Sequence, residues 1–169
     1  MELTIATSED MRAFGRTLAA QLRPGDLVLL HGGLGAGKTT LTKGIGQGLR
    51  VAGTVASPTF VIARTHRPSD DGPGLVHVDA YRLGGMDELD ALDLDASLDD
   101  SVTVVEWGEG IAEILAEDRL EIVIERPRGA GDGDPMADEP RHLTITAHGD
   151  RWDGQLRGLS GVPSTESTP

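Results

Sequence analysis

The sequence predicts an α/β domain of three layers, with a mostly parallel central sheet between helices on both faces. Short runs of Val, Leu and Ile alternate along the chain with segments of helical spacing, the order expected of parallel strands joined by crossover helices. A glycine-rich loop stands between one such run and one such helix. The chain has 169 residues, 38% of them hydrophobic and 25% charged, enough to bury one core.

Residues 3–6 read as a short strand. Ser8 is the expected N-cap of the first helix. Glu9 and Asp10 follow in its first turn, where the helix dipole favours acids, and Met11, Phe14, Leu18 and Leu22 recur at helical spacing. Arg23-Pro24-Gly25-Asp26 is a turn. Leu27–His31 is an apolar run bounded by glycines, the pattern of a buried parallel strand. After the glycine loop a helix is expected over 38–49. Residues 60–63 are expected as a strand, 66–74 as a Pro/Gly/Asp loop, and 75–78 as a strand ending at Asp79. Residues 86–97, acidic with Leu89, Leu92 and Leu94, read as a helix and loop. Residues 102–105 form another apolar run, ending at Glu106-Trp107, and 111–116 a short helix. Residues 120–124 and 143–145 are expected as a late antiparallel hairpin at one side of the sheet, joined by a glycine-rich loop over 127–140. Past Gly149 the composition turns to Gly, Ser, Thr and Pro. The domain is therefore drawn as 1–149, with 150–169 a disordered tail.

Composition removes several functions. There is no cysteine, which excludes disulfides, thiolate metal sites and a cysteine nucleophile, and fits a reducing cytoplasm. The net charge is −13, and such a surface repels a phosphate backbone, so direct binding to DNA or RNA is not expected. The start of the chain carries acids rather than a basic, then apolar, export signal. Runs such as Leu27 to Leu30 are too short to span a bilayer. The five histidines show no metal-ligand spacing and read as structural or solvent-facing.

The glycine loop carries the chemistry. Residues 32–39, G-G-L-G-A-G-K-T, match G-x-x-x-x-G-K-[ST] in full, with a strand before and an amphipathic helix after. This identifies a P-loop and makes the fold a P-loop NTPase-like three-layer sandwich. Glycines such as Gly35 and Gly37 let the backbone of 35–37, with Ala36 between them, turn several N–H groups toward one anion. The following helix adds its positive end. Lys38 can reach the β- and γ-phosphates, Thr39 can ligate Mg²⁺, and Thr40 can meet the α-phosphate.

Such a site needs a carboxylate at a neighbouring strand end. Asp79 and Glu106 both qualify, and spacing does not choose between them. Ser57-Pro58-Thr59-Phe60 lies where a switch segment would sit, and a hydroxyl there can sense the γ-phosphate. Trp107 fits equally as core or as a contact beside the site. The chain contains no asparagine, so the guanine reader N-K-x-D is impossible and adenine is favoured by elimination. A small-molecule kinase is the alternative, but its basic lid is not evident, since the arginines are scattered among acids.

Four blocks in order, GGLGAGKTT at 32–40, SPTF at 57–60, HVDAYRL at 77–83 and VEWGE at 105–109, resemble the TsaE (YjeE) family. These are bacterial ATPases required for threonylcarbamoyladenosine (t6A) at position 37 of ANN-decoding tRNAs. The likeness covers roughly residues 3–149. It implies ATP and Mg²⁺ as cofactors, with Lys38 and 35–39 on the phosphates and the metal held by Thr39 and Glu106 rather than Asp79. It implies a role in turnover for Asp79 and a switch position for Thr59. Arg141 matches a position near the nucleotide, and Thr7, Ser8 and Glu9 match the adenine-side segment more loosely. It further implies a cytoplasmic ATP hydrolase, weak alone, that acts on the TsaB–TsaD complex and meets tRNA only through it. The chain departs from the family pattern in its longer 66–74 and 127–140 loops, in Gly108 where proline is common, and in its tail.

Overall fold

The computed structural model describes residues 1–92, 99–126 and 139–159. Seven strands form one sheet: β1 (Glu2–Ile5), β2 (Leu27–His31), β3 (Ala63–His66), β4 (Gly74–Asp79), β5 (Ser101–Glu106), β6 (Arg119–Glu125) and β7 (Arg141–His148). Their order is β1-β7-β6-β2-β5-β4-β3. The centre, β6-β2-β5-β4, is parallel, while β7 and β1 at one side and β3 at the other run antiparallel. The α/β class, the parallel centre and the late hairpin thus stand as expected from the sequence, with a second antiparallel pair, β3–β4, added.

The central strands are apolar throughout because both faces are covered. Successive side chains point to opposite sides, so Val28 and Leu30 enter one core and Leu27 and Leu29 the other, all fully buried. Helices α1 (Ser8–Ala19) and α2 (Lys38–Gly48) cover the first face with Met11, Phe14, Leu18, Leu41 and Ile45. The second face is closed by Leu89 of the short helix α3 (Met86–Asp90) and by Ala112. The two long helices cross closely at Gly44, where an added Cβ would lie 2.4 Å from the Arg12 carbonyl oxygen.

Four expectations shift. The N-cap of α1 is Thr7, not Ser8: the Thr7 hydroxyl accepts from the Asp10 amide at 3.0 Å and the Asp10 carboxylate accepts from the Thr7 amide at 3.2 Å, a capping box. The strand expected over 60–63 begins only at Ala63. The amides of Val61 and Ile62 both donate to the Pro58 carbonyl, and Ile62 has φ +67°, so this segment is a tight turn. The 111–116 helix contracts to a 3-10 turn, Glu113–Leu115. Finally, the boundary after Gly149 moves. Asp150–Trp152 and Gln155–Leu159 are 3-10 turns that bury Trp152 and Leu159 in the α1/α2 core. Arg151 makes a bidentate pair with the buried Asp26, at 3.0 and 2.8 Å, and also donates to the Gln21 carbonyl at 2.7 Å. Parts of the expected 86–97 and 127–140 segments, and 160–169 of the tail, lie outside the described residues. Among the described residues no helix is long and apolar enough to cross a membrane.

Candidate functional site

The carboxyl ends of β2, β4 and β5 lie side by side, and the candidate site is built on them. The loop after β2 turns into α2 at Gly37, whose φ of +115° is left-handed and favours glycine. Among the described residues no side chain caps α2, and its first turn carries no acid, so the orphan amides of that turn are left for an anion. Thr42 donates to the Lys38 carbonyl at 3.0 Å and steadies the first turn.

Lys38 is nearly buried. Its Nζ donates to the carbonyls of Gly32 at 2.7 Å and Gly33 at 3.1 Å and lies 3.9 Å from the centre of the Trp107 ring. Burial holds the ammonium below its ordinary pKa, against the opposing pull of Glu106 and Asp79. Trp107 itself has φ +61°, and Tyr81 meets its ring edge-on, with centroids 5.2 Å apart. The indole is therefore a cover for Lys38 at the site, which resolves the choice the sequence left open.

The two acids differ in their partners. Glu106 accepts from the Thr39 hydroxyl, at 2.9 Å to Oε1 and 3.3 Å to Oε2, and its Oε1 lies 2.8 Å from His77 Nε2. Asp79 accepts from Thr59 at 2.6 Å and from the Tyr81 amide at 3.1 Å, and Ser57 Oγ stands 2.6 Å from Thr59 Oγ1. The Asp79 amide in turn donates to the Ile62 carbonyl at 2.8 Å, so the turn over 57–62 is strapped to the end of β4.

These groups share one cleft of about 210 Å³, lined by Gly35, Ala36, Gly37, Lys38, Thr39, Thr40, Ser57, Thr59, Asp79, Glu106 and Trp107. A smaller hollow of about 80 Å³ adjoins it across 35–37 and Thr40, lined further by Thr7, Ser8, Met11, Glu139 and Arg141. Arg141 opens β7 and donates through Nε to the Ala36 carbonyl at 3.1 Å, tying the antiparallel side of the sheet to the loop. Of the residues expected at the site, Thr7, Ser8, 35–40, Thr59, Asp79, Glu106 and Arg141 lie in one or other of these spaces, whereas Glu9 lies in neither and pairs with Arg12 and Arg16 on the surface of α1. The sequence reading missed His77, taken as a structural histidine. Its signal was the period-two spacing to Asp79, which puts both on one face of β4.

The donor set suits a hard cation: a hydroxyl and a carboxylate touching each other, with Asp79 on the same cleft. Among the described residues no cluster of three or more His, Asp or Glu can cage a metal alone. One hydroxyl and one carboxylate would fit Mg²⁺, a cation that takes one or two protein ligands and completes its shell with phosphate oxygens and water.

Comparisons with known proteins agree on one family. The model of the family described as threonylcarbamoyl adenosine biosynthesis protein TsaE matches residues 5–131. The chain is 64% identical over 143 residues to the tRNA threonylcarbamoyladenosine biosynthesis protein TsaE of Streptomyces coelicolor, covering 84% of this chain and 93% of that protein. It is 41% identical over 153 residues to the TsaE of Bacillus subtilis, covering 90% and 89%. The crystal structure of YdiB from the same organism superposes with a TM-score of 0.71 at 35% identity, covering 95% of this chain and 93% of that one. The chain thus belongs to the TsaE family of threonylcarbamoyladenosine biosynthesis proteins.

Proposed function

We propose that this chain binds ATP with Mg²⁺ at the β2–α2 loop and hydrolyses it, weakly alone and faster when docked on TsaB and TsaD, in the formation of t6A on tRNA. The observation that carries the reading is the contact of Thr39 with Glu106 at the open end of an uncapped helix, beside a buried lysine.

The amides of 35–40 receive the β- and γ-phosphates. Lys38 exchanges its carbonyl partners for phosphate oxygens, and Trp107 keeps water from its ammonium. Mg²⁺, held by Thr39 and Glu106, would neutralise charge on the phosphates. Asp79, held by Thr59, Ser57 and the Tyr81 amide and with acceptor capacity left over, is placed to orient a water beside the strapped turn, while Glu106 is the acid in contact with Thr39. Thr7, Ser8 and Arg141 border the hollow on the nucleoside side.

Partner docking is supported by Leu34, Phe60 and Tyr81, which are largely exposed although each borders or adjoins the cleft. The charge of −13 suits a protein that docks on proteins and leaves tRNA to them. The place of action would be the cytoplasm, where tRNA is modified.

The test is the steady-state ATPase rate with and without TsaB and TsaD, for the wild type and for Lys38→Ala. Stimulation by the pair is expected, with a loss of roughly 100-fold in the variant, the usual cost of removing one donor aimed at developing charge. A rate unchanged by the pair, or by the substitution, would refute the reading.

A further inference from the structure

His77 sits within β4, fully buried, on the same face as Leu75 and Asp79. Its neighbours in the other phase, Val76 and Val78, are what a central parallel strand ordinarily carries. An imidazole in that place costs desolvation unless it is paired. Among the described residues its Nδ1 has no partner, and its hydrogen bond goes through Nε2 to Glu106 Oε1 at 2.8 Å. The parallel register sets Asp79 opposite Glu106 and His77 opposite Val104, so the imidazole lies directly behind the carboxylate as seen from the cleft end. Oε1 also accepts from Thr39 at 2.9 Å, whereas among the described residues Oε2 has only the longer 3.3 Å contact.

We propose that His77 is a positioning residue for Glu106, an inference that rests on the MgATP reading above. With its proton on Nε2, the imidazole donates to Oε1 and fixes the rotation of the carboxylate, so that Oε2 would be the oxygen left to hold the metal. An ionised carboxylate can only accept, so the proton must be on Nε2. Nδ1 is then bare, in keeping with its lack of an acceptor. Were Thr39 to hold the metal, His77 would remain the anchor of Oε1. Hydrogen bonds of this kind to ligating groups commonly set metal affinity.

The experiment compares His77→Gln, which keeps an N–H donor, with His77→Leu, which keeps the volume and loses it. Titrating Mg²⁺ at fixed ATP by calorimetry, the Leu variant is expected to need roughly tenfold more Mg²⁺ for half-maximal binding. The Gln variant should stay near wild type, and ATP binding in EDTA should be the same in all three. In metal-free wild-type protein, long-range proton–nitrogen spectra should show the His77 proton on Nε2. An unchanged Mg²⁺ requirement in the Leu variant, an equal loss in both variants, or a proton on Nδ1 would each overturn the inference. Wild-type protein without any Mg²⁺-dependent ATP binding would instead bring down the parent reading, and the spectrum would still decide the hydrogen bond by itself.

Discussion

The imidazole of His66 closes β3 against Leu75 of β4, buried, with its Nε2 lacking any partner among the described residues. Burial holds its pKa below the ordinary 6.5, a backbone contact at Ala52 opposes this, and His77 and Arg64 add to the depression. Above 6.5 the ring is neutral both folded and unfolded, and its contribution to stability is complete. As the pH falls below that value the unfolded chain takes up the proton first, so stability is lost toward the lower, folded pKa. Urea unfolding should therefore give a smaller free energy at about pH 5.5 than at about pH 7.5, and His66→Gln should remove part of that difference. An identical difference in the variant would show that other groups carry it. The contrast with His77 is instructive. Both are buried histidines with one nitrogen unpartnered among the described residues, yet the hydrogen bond of one is to backbone at Ala52 while that of the other is to a carboxylate at the site. Composition and spacing do not separate the two; the strand register does.

At the scale of elements, legibility followed periodicity. Strand β2, the loop and α2 were readable because an apolar run, obligatory glycines and a helical repeat adjoin without interruption. Strand β3 was not, since it is an edge strand whose middle residues Arg64 and Thr65 are exposed, and the β-branched stretch before it suggested the wrong span. That stretch is bent by Pro58, which gathers two amides on its carbonyl and puts Ile62 in the left-handed region. The segment past Gly149 was misread for a different reason. Its small and polar composition hid Trp152, Leu156 and Leu159, which recur at helical spacing and pack on the α1/α2 core. Ending the chain after Gly149 would remove the indole and leave Asp26 buried without its guanidinium. Each loss ordinarily costs about 3 to 5 kcal/mol, so denaturant unfolding of the truncated chain should show a deficit of at least about 3 kcal/mol. A deficit below about 1 kcal/mol, in the range of neutral surface changes, would mean that these turns are not part of the folding unit.

Across the whole molecule, the site collects Thr7 from the entry to α1, the β2–α2 loop, the turn over 57–62, the ends of β4 and β5, and Arg141 at the start of β7. The parallel centre of the sheet makes this possible, because three strand ends point the same way at the edge where the loop opens. Sequence motifs identified the participants. The pairing of Thr39 with Glu106, and of Thr59 with Asp79, is the work of the fold, and spacing alone does not contain it. The most direct measurement is a crystal structure with Mg²⁺ and a non-hydrolysable ATP analogue. The triphosphate should lie within the amides of 35–40, Lys38 Nζ should have left the Gly32 and Gly33 carbonyls for it, and the metal should stand between Thr39 Oγ1 and Glu106. A cleft without nucleotide at millimolar concentration, or a metal seated on Asp79 with Glu106 still bound to Thr39, would contradict the account.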